Sequence, residues 1–274
     1  MGLEENSFEG KNNEEICPET NEKEEAEKRG KYDVRELTID RAYHAIRFLC
    51  AREGQKTPFR KGACKESSEY RIQLDSLSVR IDEPWTKPLA VSIPENSGVF
   101  PITNEEKIWE YFHEYLATNT KGDKEDYTYG EYIEPQWNKA MEILLESDGY
   151  TNQCYITIGG PETIDYDDPP CLRGIDFKVV TEEKSGIRRL NMHVNFRSWD
   201  LYAGFPENIA GLQLLKEKML IDLDDKGLKL EDGAIIASSS GAHFYSYALE
   251  QANKMLAVKF PIEKKEEDSE EEIF

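Results

Sequence analysis

The reactive chemistry of this 274-residue chain is concentrated in a cysteine behind a proline pair, the arginines that follow it, and a histidine and a tyrosine two residues apart. Cys171 follows Pro169 and Pro170 at the head of the strand-like segment LRGIDFKVV, so its backbone is expected to be extended and close to a surface loop. Most free cysteines behave as small buried hydrophobes. A nucleophilic one needs a nearby cation to favour the thiolate, and Arg173, Arg188, Arg189 and Arg197 lie on or beside the flanking hairpin. Strand alternation puts Arg197 on the face opposite Phe196, from which its side chain can reach across the sheet. His243 and Tyr245 share one side of an extended segment and can reach a single hydroxyl, although a satisfied core histidine is the competing role. Glu110 and Glu114, in WEYFHEYL, offer carboxylates on a helix face, where solvation is the ordinary role. A cysteine hydrolase finds no support, because no His or Asn stands in a recognisable relation to Cys171. Cys17, Cys50, Cys64, Cys154 and Cys171 are odd in number and contain no CxxC pair, which speaks against a disulfide framework or a zinc knuckle; no metal is expected.

The segment NFRSWDLYAGFPENIAGLQLL resembles the stretch that follows the catalytic cysteine of thymidylate synthases, where Arg-Ser-x-Asp precedes Gly-x-Pro-x-Asn-Ile-Ala. Arg197, Ser198, Asp200, Gly204, Pro206, Asn208, Ile209 and Ala210 fill those places in register. Upstream, DDPPCLRGIDFKV is similar to the family's Pro-Cys strand, and YTYGEY around Tyr129 and Gly130 to its Tyr-Gly turn. Downstream, GAHFYSY is similar to its His-x-Tyr sugar site. The motifs run in the family's order over residues 36–260 and are densest from 129 to 247. The Leu after the cysteine and the run SSSGAHFY are most similar to the archaeal-type branch.

The resemblance implies a C5-methyltransferase that converts dUMP to dTMP in pyrimidine nucleotide biosynthesis. A uracil ring is inert at C5 until a nucleophile adds at C6; Cys171 would make that bond, and C5 would then attack a one-carbon donor. Arg197, Glu110 and Tyr129 complete the implied catalytic set, Glu114 being the other choice for the carboxylate near O4. Arg197 would also contact the 5'-phosphate, with a hydrogen bond added by Ser198. Asn208 would donate to O4 and accept from N3–H of the base. His243 and Tyr245 would hold the sugar and Asp200 the pterin. The cosubstrate implied is a reduced methylene-pterin, methylenetetrahydrofolate or methylenetetrahydromethanopterin. Two other readings remain: a hydroxymethylase of dUMP or dCMP, in which water instead of hydride quenches the exocyclic methylene, and a non-catalytic nucleotide-binding protein that keeps the pocket.

Departures from the family pattern are specific. Leu172 stands where many members have His, and Trp199 where they have a small residue. Thr151, Asn152 and Gln153 occupy the place of two arginines that, in bacterial enzymes, reach the partner subunit's phosphate, and neutral amides cannot supply that charge. Arg60 or Lys61 is the expected local substitute, and a monomer is favoured over a homodimer. The chain carries an acidic C-terminal tail in place of a short apolar lid.

The elements that must position these residues read as α+β, a mixed sheet packed with helices rather than repeating βαβ units. Asp40 is expected to cap a helix through RAYHAIRFLCARE that ends at Gly54. YRIQLDSLSVRI alternates with one phase shift near Asp75 and Ser76, as at a bulge or turn. Thr103 and Glu106 suggest a capping box for the next helix, and a further helix is expected from about Pro135 to Leu145. Strands at 154–159, 172–180 and 189–196 follow, the last two joined by EEKSG, then a helix from Pro206 through Leu220, the strand AIIAS and a final helix SYALEQANKML. One catalytic domain is expected over 36–260, between a disordered acidic extension at 1–35 and an acidic tail at 261–274. A formal net charge of -21 and mean hydropathy of -0.70 disfavour nucleic acid and acidic membrane surfaces as partners. No stretch of about 18 apolar residues and no basic-apolar leader is seen, so the expected location is cytoplasmic.

Overall fold

The computed structural model describes residues 32–58, 70–121, 127–256 and 259–261. Cys17, Arg60, Lys61, Cys64 and nearly all of both acidic tails lie outside the described residues. The described chain forms strands β1 (Asp33–Glu36), β2 (Gln55–Pro58), β3 (Tyr70–Leu74), β4 (Leu77–Ile81), β5 (Tyr155–Thr157), β6 (Leu172–Thr181), β7 (Arg188–Phe196), β8 (Trp199–Asp200), β9 (Glu231–Ser239) and β10 (Ala242–Tyr245). The helices are α1 (Ile39–Glu53), α2 (Glu105–Tyr111), α3 (Gly130–Glu146), α4 (Gly204–Asp224) and α5 (Leu249–Lys254). The fold is α+β, as expected. Its first strand begins at Asp33, inside the expected N-terminal extension, and pairs in parallel with β4.

Several starts differ from the sequence-based expectation, each for a local reason. Thr38, not Asp40, caps α1 by accepting the Arg41 N–H, because Asp40 is engaged by the backbone and hydroxyl of Ser92 at 2.6 and 2.8 Å. Asn104, not Thr103, caps α2 through the Lys107 N–H at 2.9 Å, while Glu105 reaches back to the Ala90 N–H. The third helix starts at Gly130 instead of Pro135 because Thr128 and Glu131 form a capping box, each side chain accepting the other's backbone N–H at 3.3 and 3.0 Å. Pro135 falls inside the helix. A π-helical turn, Phe112–Leu116, extends α2, closed by the Ala117 N–H on the Phe112 carbonyl.

The strands form two sheets, a six-stranded one in the order β1-β4-β9-β7-β6-β5 and a four-stranded one in the order β2-β3-β10-β8. The phase shift at Asp75 and Ser76 is neither a bulge nor a simple hairpin: β3 and β4 belong to different sheets. The same happens twice more. β7 leaves the large sheet and becomes β8 across Arg197 and Ser198, and β9 becomes β10 across Ser240 and Gly241. Three neighbours in the large sheet, β4, β9 and β7, thus continue as three neighbours in the small one, β3, β10 and β8. At the crease Ser240 Oγ donates to Arg197 O at 3.2 Å and Ser240 N–H to Phe196 O at 3.4 Å, and the β8–β10 ladder resumes at once with Trp199 N–H to Gly241 O at 3.0 Å and Leu201 N–H to His243 O at 2.8 Å.

Helix α4 closes the inside of the large sheet. Phe205, Ile209, Leu212, Leu215, Met219 and Leu223 are buried, and so are Gln213 and Lys216, so the helix has little solvent face. Lys216 is fully buried; Asp232 Oδ1 at 2.8 Å and the Gly233 carbonyl receive its ammonium. Burial lowers its pKa to about 8 despite that partner. The outer face of the same sheet is polar: His193 and Asn195 of β7 are exposed, and Asp176 and Lys178 of β6 stand beside them.

Gly130 shows how tightly the start of α3 is seated. A Cβ there would lie 1.7 Å from the Thr118 carbonyl oxygen, a backbone atom with no room to yield. Gly130→Ala should therefore lower unfolding free energy by about 1–3 kcal/mol or more through overpacking alone, measured by urea denaturation. An unchanged midpoint would mean that the Thr118 turn moves freely.

Candidate active site

Cys171 sits where β6 meets the crease. Its carbonyl accepts the Arg197 N–H at 2.8 Å, so the cysteine and the arginine are neighbours across the β6–β7 pair. The Arg197 guanidinium turns back over the loop ahead of the cysteine: Nε donates to the Pro170 carbonyl at 3.1 Å, and Nη2 donates to the Pro169 carbonyl and to Asp168 Oδ1 at 3.2 Å. One side chain therefore holds the Pro-Pro turn and sets a positive charge beside the thiol. Cys171 is partly exposed, whereas Cys50 and Cys154 are buried. Burial pushes the Cys171 thiol upward and Arg197 pulls it down, with Asp168 and Asp200 opposing Arg197. Cys154 is pushed up to about 12 by burial, and Cys50 is pushed up as well.

A tyrosine wall faces the thiol. Tyr129 is buried and its hydroxyl accepts the Leu172 N–H at 3.2 Å, next to the cysteine's own peptide unit. Tyr115 packs edge-on to Tyr129 at 5.1 Å and parallel to Tyr111 at 5.5 Å, and Tyr127 lies 5.8 Å from Tyr129. Burial, then the charges of Cys171 and Asp168, push Tyr127 up to about 12, so this phenol keeps its proton at neutral pH. Tyr111 reaches α4: its hydroxyl accepts from Asn208 Nδ2 at 2.9 Å, and Asn208 Oδ1 accepts from Trp199 Nε1 at 3.1 Å. Tyr111 and Tyr115, four residues apart, face the same side, and a π turn follows Tyr111. That geometry is frequent at functional sites.

Beyond the crease, His243 and Tyr245 stand on β10 with their rings 4.5 Å apart in an edge-on contact. His243 Nδ1 is 2.8 Å from the Gly241 carbonyl and therefore carries the proton, leaving Nε2 as a buried acceptor without a partner among the described residues. Burial lowers its pKa to about 4. Across the β3–β10 pair, Gln73 lies opposite His243 and Arg71 opposite Tyr245, on the same face. Gln73 Oε1 and Arg71 Nε are likewise buried and without partners among the described residues. Asp200, paired with His243 on β8, accepts the Tyr202 N–H at 2.9 Å and anchors the turn into α4, and burial raises its pKa. Gly204 leaves the floor between Asp200 and Asn208 bare; a Cβ there would reach to 3.4 and 3.5 Å of the two side chains. Ser198 lies in the crease beside Arg197, partly exposed.

The structure thus brings together Cys171, Arg197, Ser198, Asp200, Asn208, Tyr129, His243 and Tyr245. It does not bring Arg188 and Arg189 to the thiol: they bind Asp148 and Glu182 at the other end of β6 and β7, roughly 30 Å along the strand. Arg173 points to Thr163 instead. Of the four arginines expected to influence Cys171, only Arg197 does so, because sequence distance along a hairpin is not distance to its mouth. Glu110 and Glu114 are exposed, one residue before the inward-facing Tyr111 and Tyr115. Arg60 lies outside the described residues. Tyr111, Tyr127, Asp168, Arg71 and Gln73 were not anticipated. The alternation of YTY and of YRIQL, and the four-residue spacing of Tyr111 and Tyr115, are the signals that carry them.

Among the described residues no group of three or more His, Cys, Asp or Glu side chains could hold a metal ion, and no helix is long and apolar enough to cross a membrane. Comparison with known proteins matches residues 103–266, more than half of the chain, to the thymidylate synthase family model. A protein of Methanopyrus kandleri, provisionally described as a thymidylate synthase, is 23% identical over 217 residues, covering 77% of this chain and 92% of its own length.

Since Arg197 lowers the thiol pKa, its removal should raise it. At pH 7 to 8, Arg197→Ala should slow alkylation of Cys171 by iodoacetamide several-fold and shift the rate-against-pH curve to higher pH, with Cys50 and Cys154 unreactive in both proteins. A faster reaction in the variant would show that Arg197 acts only as a gate over the thiol.

Proposed function

The chain belongs to the thymidylate synthase family, and from that membership and the cleft around Cys171 we propose that it methylates dUMP to dTMP with a reduced methylene-pterin as cosubstrate. The pairing of Arg197 with Cys171 is the observation that carries the reading: a partly exposed thiol, alone among the described cysteines, lies beside a fixed guanidinium. The Cys171 thiolate adds to C6 of the uracil ring, and the electron pair released toward O4 makes C5 the nucleophile. C5 would take the one-carbon unit, whose bond to the donor breaks as the C5 proton is lost, and delivery of hydride to that carbon as the thiolate leaves C6 would restore the ring as the 5-methyl base. Arg197 and Ser198 take the phosphate, Asn208 the base, and His243 and Tyr245 the sugar hydroxyl, for which the buried Nε2 of His243 is a ready acceptor. Tyr129, held against the Leu172 peptide and kept protonated by burial, would relay the proton by giving up its own as it takes another. The pterin supplies the carbon and the hydride. Its ring finds a carboxylate in Asp200 and a bare floor at Gly204, a combination suited to a flat, hydrogen-bonding heterocycle. The exposure of Glu110 weighs against its implied role near O4 and leaves the tyrosines as the proton-bearing groups nearest the base.

A single chain suffices on this reading. Asn152 is exposed and accepts from Lys178 Nζ at 2.7 Å, and Gln153 is exposed, so neither lends charge to a partner. Arg71 supplies a second cation from the chain itself. The polar outer face of the large sheet, with His193, Asn195, Asp176 and Lys178, suits solvent better than a permanent subunit interface.

Incubating the protein with dUMP and each methylene-pterin, and reading nucleotide mass, tests the activity. A methylated product is expected; a hydroxymethylated one would replace the proposal with the hydroxymethylase. Cys171→Ser should abolish turnover while retaining nucleotide binding, and a fully active serine variant would refute the covalent step.

The single-chain site has its own test. Specific activity should stay constant on dilution, and replacing Asn152 and Gln153 by Ala should change nucleotide affinity less than twofold, whereas Arg71→Met should weaken it by about tenfold or more, the loss of a charge-assisted bond. A steep fall of activity on dilution would restore a site shared between subunits.

A further inference from the structure

The Asn208 amide is not free to turn. Its two internal partners differ in kind. The indole nitrogen of Trp199 only donates, so the amide oxygen must face it, at 3.1 Å. The phenol of Tyr111, at 2.9 Å from Nδ2, can donate or accept and would tolerate either end of the amide. Trp199 is itself fixed. It is 2% exposed, stacked parallel on Phe196 with centroids 4.2 Å apart, and packed against Phe205 at 4.9 Å.

A carboxamide has two acceptor positions and two donor hydrogens. The two internal bonds together use one acceptor position and one donor hydrogen, and what remains is one acceptor and one donor side by side. Uracil presents N3–H and the O4 acceptor; cytosine presents the N3 acceptor and an N4 amino donor. An amide able to rotate by half a turn would fit both bases equally well, simply by exchanging its oxygen and nitrogen. An asparagine at this position is therefore not selective until something decides which way it points.

We propose that Trp199 is the specificity-determining positioning residue of the cleft: its donor-only indole holds the Asn208 amide in the orientation that matches uracil and bars the flipped orientation that matches cytosine. The inference rests on Asn208 meeting the base. A flip would set the amide N–H against the indole N–H, which is buried and has no other partner among the described residues, and that penalty becomes the preference for uracil.

The test is equilibrium binding of dUMP and dCMP, by calorimetry, to the full chain and to two variants. Trp199→Phe keeps the aromatic stack and removes the donor. It should lower the dUMP-over-dCMP preference by about tenfold or more, chiefly by improving dCMP binding. Tyr111→Phe removes a partner that does not select, so it should weaken both nucleotides alike and keep the preference. Equal weakening of both nucleotides in Trp199→Phe, with the ratio unchanged, is what mere structural damage produces and overturns the proposal. If Trp199→Phe does not fold, Tyr111→Phe still decides: a retained preference supports the lock, and a lost one assigns it to the wrong ring and overturns it. A parent protein that binds neither nucleotide would sink the nucleotide reading itself, and a parent that binds both equally would sink the lock alone.

Discussion

Three adjacent strands that break at one level and pass into a second sheet determine where everything else in this molecule stands. A strand crossing between sheets must keep its backbone groups paired, and here Ser240 bonds Phe196 and Arg197 at the crossing while the β8–β10 ladder takes over at once through Trp199 with Gly241 and Leu201 with His243. The residues at the crossings, Arg197 and Ser198 on one strand and Ser240 and Gly241 on the next, therefore cannot drift. Cys171 is tied to them through the Arg197 N–H. The cleft is a product of backbone geometry first, and its side chains inherit their positions.

Helix α4 supplies the second constraint. A helix buried on nearly every side tolerates few polar residues, and three of those it carries are held by specific partners: the Gln213 amide nitrogen and the Lys216 ammonium meet Asp232, and Asn208 meets Trp199 and Tyr111. Close approach of the end of α2 and its π turn to this helix requires Gly211, where a Cβ would lie 2.5 Å from the Tyr111 ring and 3.0 Å from Leu116. The small residue on α4, the unusual turn after α2 and the orientation of an amide at the mouth of the cleft are thus one packing arrangement viewed from three residues. Overpacking at Gly211 would be felt at Asn208.

Much of this was legible before any coordinates. Short motifs in register named Cys171, Arg197, Asp200, Asn208, His243 and Tyr245, and the family comparison agrees with the resemblance they carry. The sequence pattern located β6, β7 and β9, whose buried positions alternate over part of each strand and are interrupted by runs of two or three buried residues. Periodicity says nothing of which strand lies beside which, so YRIQLDSLSVRI looked like one interrupted strand rather than two strands of two sheets. Caps were misplaced where a side chain with the right chemistry was already occupied, as Asp40 is by Ser92. The tyrosine wall stayed hidden for a different reason: phenols four residues apart on a helix look like ordinary core, and only the π turn and the contact with Asn208 give them another role.

Trp199 also gives the protein a property unrelated to selectivity. Indoles absorb and emit, and their emission responds to the hydrogen bond at the ring nitrogen and to the rigidity of the surroundings. Of the other three tryptophans, Trp85 lies beside Arg189 and Lys216, Trp109 is about half exposed, and Trp137 gives its N–H to Asp222 at 2.7 Å, far along α4 from the cleft. Trp199 alone is bonded to an amide at the mouth of the cleft, inside a parallel aromatic stack. Any molecule that engages that amide alters the electron density at the indole's own partner. The cleft carries a built-in optical probe, and its occupancy can be followed with light and no label.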